Sequence, residues 1–443
     1  MEQSYSYKNI WKVSYPILIS LIMEQLIGMT DTAFLGRVGE IELGASAIAG
    51  IYYMVIFMAG FGFSIGAQII IGRRNGEGRY TETGRIFYQG IYFLIVLAAA
   101  AVTLSEIFSP HIMSSIVSSE HIHDAALSYV RWRIPGLLFA FMTVMFRAFF
   151  VGTTQTKTLT LNSVIMVLSN VLFNYILIFG KFGCPALGIT GAAIGSTLAE
   201  LVSLVFFIIY TAFFTDCRKY GLNRISGFEW KELKSIMSVS VWTMVQSFVS
   251  ISTWFIFFLF VEHLGERSLA VSNIVRNVSG MIWVAVMAFA STGSTLVSNI
   301  IGEGHQDKVP MLLKRLMVIT YSIVIVIISV FALFPKAVIG IYTDIPEIID
   351  ASVPSMLVMA SAYLLNVAGM IFFQAVSGTG NTKTAFALEL IALTVYMAYC
   401  TVVISIMKSD IAVCWTAEHV YAGAMCVLCG LYIRSGRWRG KRI

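Results

Sequence analysis

Charge is what this sequence has least of. Asp, Glu, Lys and Arg make up 12% of its 443 residues, against about 25% in a soluble domain, so the chain lacks the polar surface that a water-soluble fold needs. It also lacks a phosphate-binding loop. Gly76-Glu77-Gly78 is a glycine cluster with no Lys-Ser/Thr after it, and no other ATP-hydrolysing motif is present, which leaves an ion gradient as the energy source for any transport. No His, acid and nucleophile cluster falls at depth, His419 beside Glu418 being the nearest approach, so an enzyme is not expected. The six cysteines are few, and Cys426-x-x-Cys429 has redox or metal spacing without a second ligand pair; in an apolar helix the two read as small packing residues. A cleavable signal peptide is not expected either. Lys8 and Lys12 precede the first apolar run, but Glu24 and Asp31 interrupt it and no small-residue cleavage site follows.

What the chain does have is apolar length. Hydrophobic residues make up 58% of it, in runs of about 20 residues, each able to cross a hydrocarbon layer about 30 Å thick. The runs predict spans at roughly 10–35, 45–71, 86–108, 127–151, 159–180, 187–214, 235–262, 270–301, 312–341, 351–377, 384–408 and 411–434. The formal net charge of +6 is a topology signal and not a nucleic-acid one. Of the Lys and Arg residues in loops and tails, 21 fall on one side and 5 on the other, which places both termini of an inner-membrane protein in the cytoplasm and requires an even number of spans.

The second half repeats the first at a constant offset of 226 residues. Val13-Ser14 recurs as Val239-Ser240, Gly39-Glu40 as Gly265-Glu266, Gly76-Glu77-Gly78 as Gly302-Glu303-Gly304, and Thr156-Lys157-Thr158 as Thr382-Lys383-Thr384. Two six-span halves entering the membrane in the same direction imply a pseudo-two-fold axis along the membrane normal, with a cavity between them. The fold class expected is therefore an all-α membrane protein of twelve transmembrane helices in two pseudo-symmetric six-helix bundles. The domains expected are an N-terminal lobe at 1–214, a cytoplasmic linker at 215–234 and a C-terminal lobe at 235–443. The Gly-Glu-Gly turns read as helix C-caps.

Ionisable groups at depth are costly and are candidates for function. Glu24 and Asp31 lie two turns apart on one face of span 1, Asn170 and Asn174 one turn apart on span 5, and Ser196 and Glu200 one turn apart on span 6. A carboxylate beside carboxamides and hydroxyls suits a proton or Na⁺; the plain alternative is that these groups only join neighbouring helices. Glu24 in particular fits either role. The second half is poorer in charge: its deep polar residues are Gln246, Asn273, Asn277, Asn366 and Gln374, with Arg276 expected to snorkel or to bond carbonyls. Glu389 and Glu418 are expected near the two membrane faces, within reach of water. The 31 Phe, 21 Met, 19 Tyr and 8 Trp suit compliant walls for amphiphilic ligands, although many such residues simply face lipid.

With Ser14-Tyr15-Pro16, the run Met29-Thr30-Asp31-Thr32-Ala33-Phe34-Leu35-Gly36, Asn170-x-x-x-Asn174, Gly180-Lys181-Phe182-Gly183, Gly188-Ile189-Thr190-Gly191 and the repeated loops in view, the chain resembles the multidrug and toxic compound extrusion (MATE) family, its NorM-like branch above all. The resemblance covers nearly the whole chain. It implies antiport, in which inward H⁺ or Na⁺ drives export of organic cations or amphiphilic drugs by a monomer in the lipid bilayer, with no cofactor beyond the coupling ion. Asp31 would be the coupling acid, with Asn170, Asn174, Ser196 and Glu24 about it. Asp31 and Asn174 would be the ligands if the ion is Na⁺. Pro16 would mark a bend in helix 1, and Gln246, Asn273, Asn277 and Asn366 would line the second-lobe cavity. The sequence departs from that branch on span 7, where 242–252 holds Gln246 and no acid, and on span 10, where Asn366 takes the place of an Asp. First-lobe coupling is therefore expected, by H⁺ in preference to Na⁺. The alternative is a flippase for a lipid-linked precursor, which would want several cavity cations; Arg276, Arg131, Arg133 and Arg147 are the ones on offer.

Overall fold

The computed structural model describes residues 5–117 and 119–440. Among them no strand occurs, and twelve helices are long and apolar enough to cross a membrane. They are α1 (Tyr7–Val38), α2 (Glu40–Gly76), α3 (Tyr80–Ile116), α4 (Glu120–Gly152), α5 (Lys157–Phe179), α6 (Gly188–Phe214), α7 (Trp230–Glu262), α8 (Glu266–Gly302), α9 (Gln306–Leu333), α10 (Pro346–Gly378), α11 (Thr382–Ile406) and α12 (Ile411–Ser435). Every span read from the sequence coincides with one of them. The expected ninth span runs too far, because Phe334-Pro335 ends α9 and a separate short helix, Pro335–Ile339, follows; proline supplies no N–H to continue the ladder.

The repeat is carried into the helices. α2 and α8 begin and end at positions 226 apart, and so do α4 and α10. Their caps match as well: Glu77 and Glu303 close α2 and α8 in the same right-handed conformation, and Gly78 and Gly304 turn the chain at φ 73° and 79°. That left-handed region is open to glycine at little cost, so the Gly-Glu-Gly clusters are helix ends. Besides the break after α9, where α3 runs on unbroken, the repeat is less regular in two further helix pairs. A 3₁₀ turn, Ile134–Gly136, interrupts α4, whereas α10 runs on without one. α11 ends in six π-wound residues, Thr401–Ile406, whereas α5 ends in a left-handed glycine, Gly180.

By packing, the chain forms two units: Ile19–Val245, termed here the first lobe, and Met1–Leu18 with Gln246–Ile443, termed the second lobe. The division passes within α1, just after Pro16, and within α7. The expected linker 215–234 lies wholly inside the first lobe. α3 holds it through its backbone carbonyls: Tyr88 Oη donates to Leu222 O at 2.8 Å, Gln89 Nε2 to Gly227 O at 2.8 Å, and Tyr92 Oη to Ser226 O at 2.6 Å. α1 is helical on both sides of Pro16.

Candidate ion-coupling site

α1, α5 and α6 meet around one carboxylate. Asn174 Nδ2 donates to Asp31 Oδ1 at 2.6 Å, and Ser196 Oγ donates to Asp31 Oδ2 at 3.4 Å. Behind them Asn170 Nδ2 donates to Ser196 Oγ at 3.2 Å, and Asn174 Nδ2 also donates to Asn170 Oδ1 at 3.2 Å. Helical spacing explains the convergence, since residues four apart share a face. Glycine at 195 explains the closeness of α5 and α6: a Cβ there would collide with Asn174 Oδ1. Asn170, Asn174 and Ser196 are buried, while Asp31 is half-buried. Asn174 Oδ1 is buried with no hydrogen-bond partner, so the cluster holds one acceptor in reserve.

Glu24 is not part of it. Its carboxylate is 49% exposed and pairs with Arg147 of α4, Nη1 to Oε1 at 2.6 Å. The two acids share a face of α1, but α4 supplies a cation at one level and α5 with α6 supply amides and a hydroxyl at the other. Glu200, one turn beyond Ser196, is also committed: Arg133 grips it with both nitrogens, at 2.8 and 2.6 Å, and Tyr53 Oη donates to it at 2.8 Å. The Arg133 guanidinium lies 3.8 Å from the centroid of the Tyr53 ring. Sequence reasoning noticed Arg133 and Glu200 separately and did not join them, nor did it single out Tyr53. The available signal was Pro135-Gly136, which breaks α4 immediately after Arg133.

In the second lobe the expected set does not assemble. Gln246 and Asn273 are half-buried, Asn277 is exposed, and Asn366 is buried with Oδ1 unpartnered; among the described residues no hydrogen bond links the four. Arg276, expected to snorkel or to bond carbonyls, lies over aromatic rings, 5.3 Å from the Phe258 centroid and 5.9 Å from that of Trp254, in cation–π contact. Glu389 is 3% exposed, and Glu418 is half-buried with Tyr396 Oη donating to it at 3.2 Å. Glu389 is therefore not within reach of water as expected. It sits two turns into α11, where α7 and α12 close over it.

The sequence matches the MatE family over residues 16–176 and 243–407, both halves of the repeat. The chain belongs to the MatE family. It is 22% identical to the probable multidrug resistance protein NorM of Thermotoga maritima over 449 residues, covering 98% of this chain and 94% of that one. It is 22% identical to the multidrug resistance protein MdtK of Photorhabdus laumondii over 393 residues, covering 87% and 84%. Its fold superimposes with a TM-score of 0.90 on an outward-facing multidrug resistance MATE family transporter of the MOP superfamily, at 16% identity and covering 98% and 97% of the two chains. The protein is thus a multi-pass inner-membrane transporter of the multidrug efflux family and not an enzyme, and its relatives lend no support to the flippase alternative.

Proposed function

We propose that this transporter is a proton-coupled antiporter exporting organic cations, with Asp31 as the coupling acid. One observation carries the proposal: the Asp31 carboxylate is held by Asn174 at 2.6 Å and by Ser196 at 3.4 Å within a buried amide and hydroxyl cluster. Among the described residues Asp31 makes no salt bridge, because Arg133, whose charge reaches it, is bound to Glu200, and a carboxylate left unpaired in a span is an expensive way to join helices. The groups facing it are donors, an arrangement that suits the unloaded anion. Loading by a proton asks little, since a serine hydroxyl both donates and accepts. Ser196 turns to accept from a protonated Oδ2, and Asn174 keeps its bond. Loading by Na⁺ needs oxygens in place of donors, so the Asn174 amide would have to turn its unpartnered Oδ1 inward. The smaller rearrangement favours H⁺. In this reading the state of Asp31 biases which side the transporter opens to, the two lobes exchange access alternately, and Pro16 is where α1 bends. The loop charge bias, 21 against 5, orients both termini to the cytoplasm.

The test is dye efflux from proteoliposomes with pH and Na⁺ gradients imposed one at a time. Wild type is expected to respond to the pH gradient, and Asp31→Asn to lose that response while keeping its elution profile. Gradient-driven efflux retained in Asp31→Asn overturns the assignment, and a response to Na⁺ alone overturns the choice of ion.

A further inference from the structure

The second lobe carries a buried acid that the coupling site does not use. Glu389 of α11 is 3% exposed. Its Oε1 accepts two hydrogen bonds, from Ser250 Oγ of α7 at 2.7 Å and from Tyr421 Oη of α12 at 3.2 Å. Its Oε2 is buried with no partner. Among the described residues no Lys, Arg or His pairs with it. The titratable neighbours are acids or neutral groups. α12 brings Tyr421 and the buried thiol of Cys429. Tyr396, on the same helix as Glu389, meets the Tyr421 ring at 5.9 Å and donates to Glu418. The part of α7 in this lobe has Glu262 as its only acid, at its far end. α10 carries Glu347 and Asp350 in its exposed start, and Tyr363, which bonds to Ser279 O at 3.2 Å.

The repeat shows what the site is not. At the offset of 226, Glu389 stands where the first lobe has Ser163, and Ser250 stands where it has Glu24. In the first lobe Ser163 meets Ser20 of α1 at 2.7 Å, hydroxyl to hydroxyl. Such a pair suffices to join these two helices. A carboxyl in its place adds an oxygen that nothing satisfies, at a depth where an uncompensated charge is costly. A neutral carboxylic acid removes the costly part, the charge: Oε1 as the carbonyl oxygen accepts from Ser250 and Tyr421, and Oε2 carries the hydrogen, still without a partner.

We propose that Glu389, clasped by Ser250 and Tyr421, is a second proton-binding site, in the lobe opposite Asp31. It stands whether or not Asp31 couples transport, because its test reads protonation and not efflux. Infrared difference spectra of the purified protein in lipid nanodiscs, prepared with carboxyl-labelled glutamate, are recorded as pH is varied. Wild type is expected to show a protonated glutamic acid C=O band that is lost in Glu389→Gln and kept in both Asp31→Asn and Glu418→Gln. Tyr421→Phe keeps the acid and removes one bond to its carbonyl oxygen, so the band is expected to move to higher frequency. Three results would overturn the proposal: no such band in wild type, the band surviving in Glu389→Gln or vanishing in Glu418→Gln, or the band removed by Na⁺ at constant pH. An unmoved band in Tyr421→Phe would equally reject the proposed carbonyl geometry.

Discussion

The two lobes are built on one pattern of helices and have placed their acids differently. In the first lobe three acids sit deep in the spans α1 and α6, Glu24, Asp31 and Glu200, and two of them are salt-bridged: Glu24 to Arg147 and Glu200 to Arg133. In the second lobe the buried acid is in α11 and has only hydroxyls. The repeat keeps helix ends and turn glycines in register because the fold depends on them, whereas interior polar residues have diverged: Glu24 meets Arg147, but Ser250 in its place meets Glu389.

The sharpest way to break this comparison is Asp31→Asn. It is expected to lower gradient-driven efflux by a factor of ten or more, about 1.4 kcal/mol at the least, whereas Glu24→Gln in the same helix should leave it within a factor of two. Equal losses in efflux assays would erase the distinction between the two acids. Next comes Arg133→Met, which leaves Glu200 buried with the Tyr53 hydroxyl but without its cation. Breaking a buried pair from one side costs about 3–5 kcal/mol, so the thermal midpoint in detergent should fall steeply. The double variant Arg133→Met with Glu200→Gln should recover much of the loss, and no recovery would mean that the cost is in packing and not in charge.

A third comparison sets matched glycines against each other. A Cβ on Gly152 would lie 2.7 Å from Ile71 Cγ2, a side chain that can shift, and 3.0 Å from Gln68 O; on Gly378 it would collide with the carbonyl oxygen of Ser294, the repeat partner of Gln68. Backbone yields less than side chain, so Gly378→Ala should cost about 1–3 kcal/mol and Gly152→Ala less, as read by melting of each variant. The smallest effect belongs to the Glu24–Arg147 pair. With the acid 49% exposed, Arg147→Gln should change stability by less than about 1 kcal/mol, and a larger shift in the melt would show that this pair is sheltered.

Much of this was legible in the sequence because it is local or periodic. Span positions follow from hydrophobic run length, and the twofold repeat from one constant offset. The Asp31 cluster follows from spacing: Asn170 and Asn174 share a face, as do Ser196 and Glu200, so once α1, α5 and α6 are packed the groups meet. What was hidden depends on which faces pack. Arg133 and Glu200 are 67 residues apart, and nothing in either helix announces the other. Glu389 was expected near water because its place along α11 is readable, while the cover over it comes from α7 and α12. The segment 215–234 looked like a linker because it is a long basic connection, while what docks it, its carbonyls on α3 and the buried ring of Tyr220 against Tyr80 and Phe149, depends on which faces pack.

The Arg133–Glu200 pair also bears on how the membrane voltage acts. With that pair self-neutralised, Asp31 contributes a single unit of net charge to its cluster. Exchange of one proton for one monovalent drug at such a site moves no net charge, so an imposed potential does no work on it and only the pH gradient drives it. If Glu389 releases its proton in the same cycle, the exchange becomes two for one. Each turnover then carries one charge across the bilayer, worth about 2.3 kcal/mol per 100 mV, and efflux becomes electrogenic.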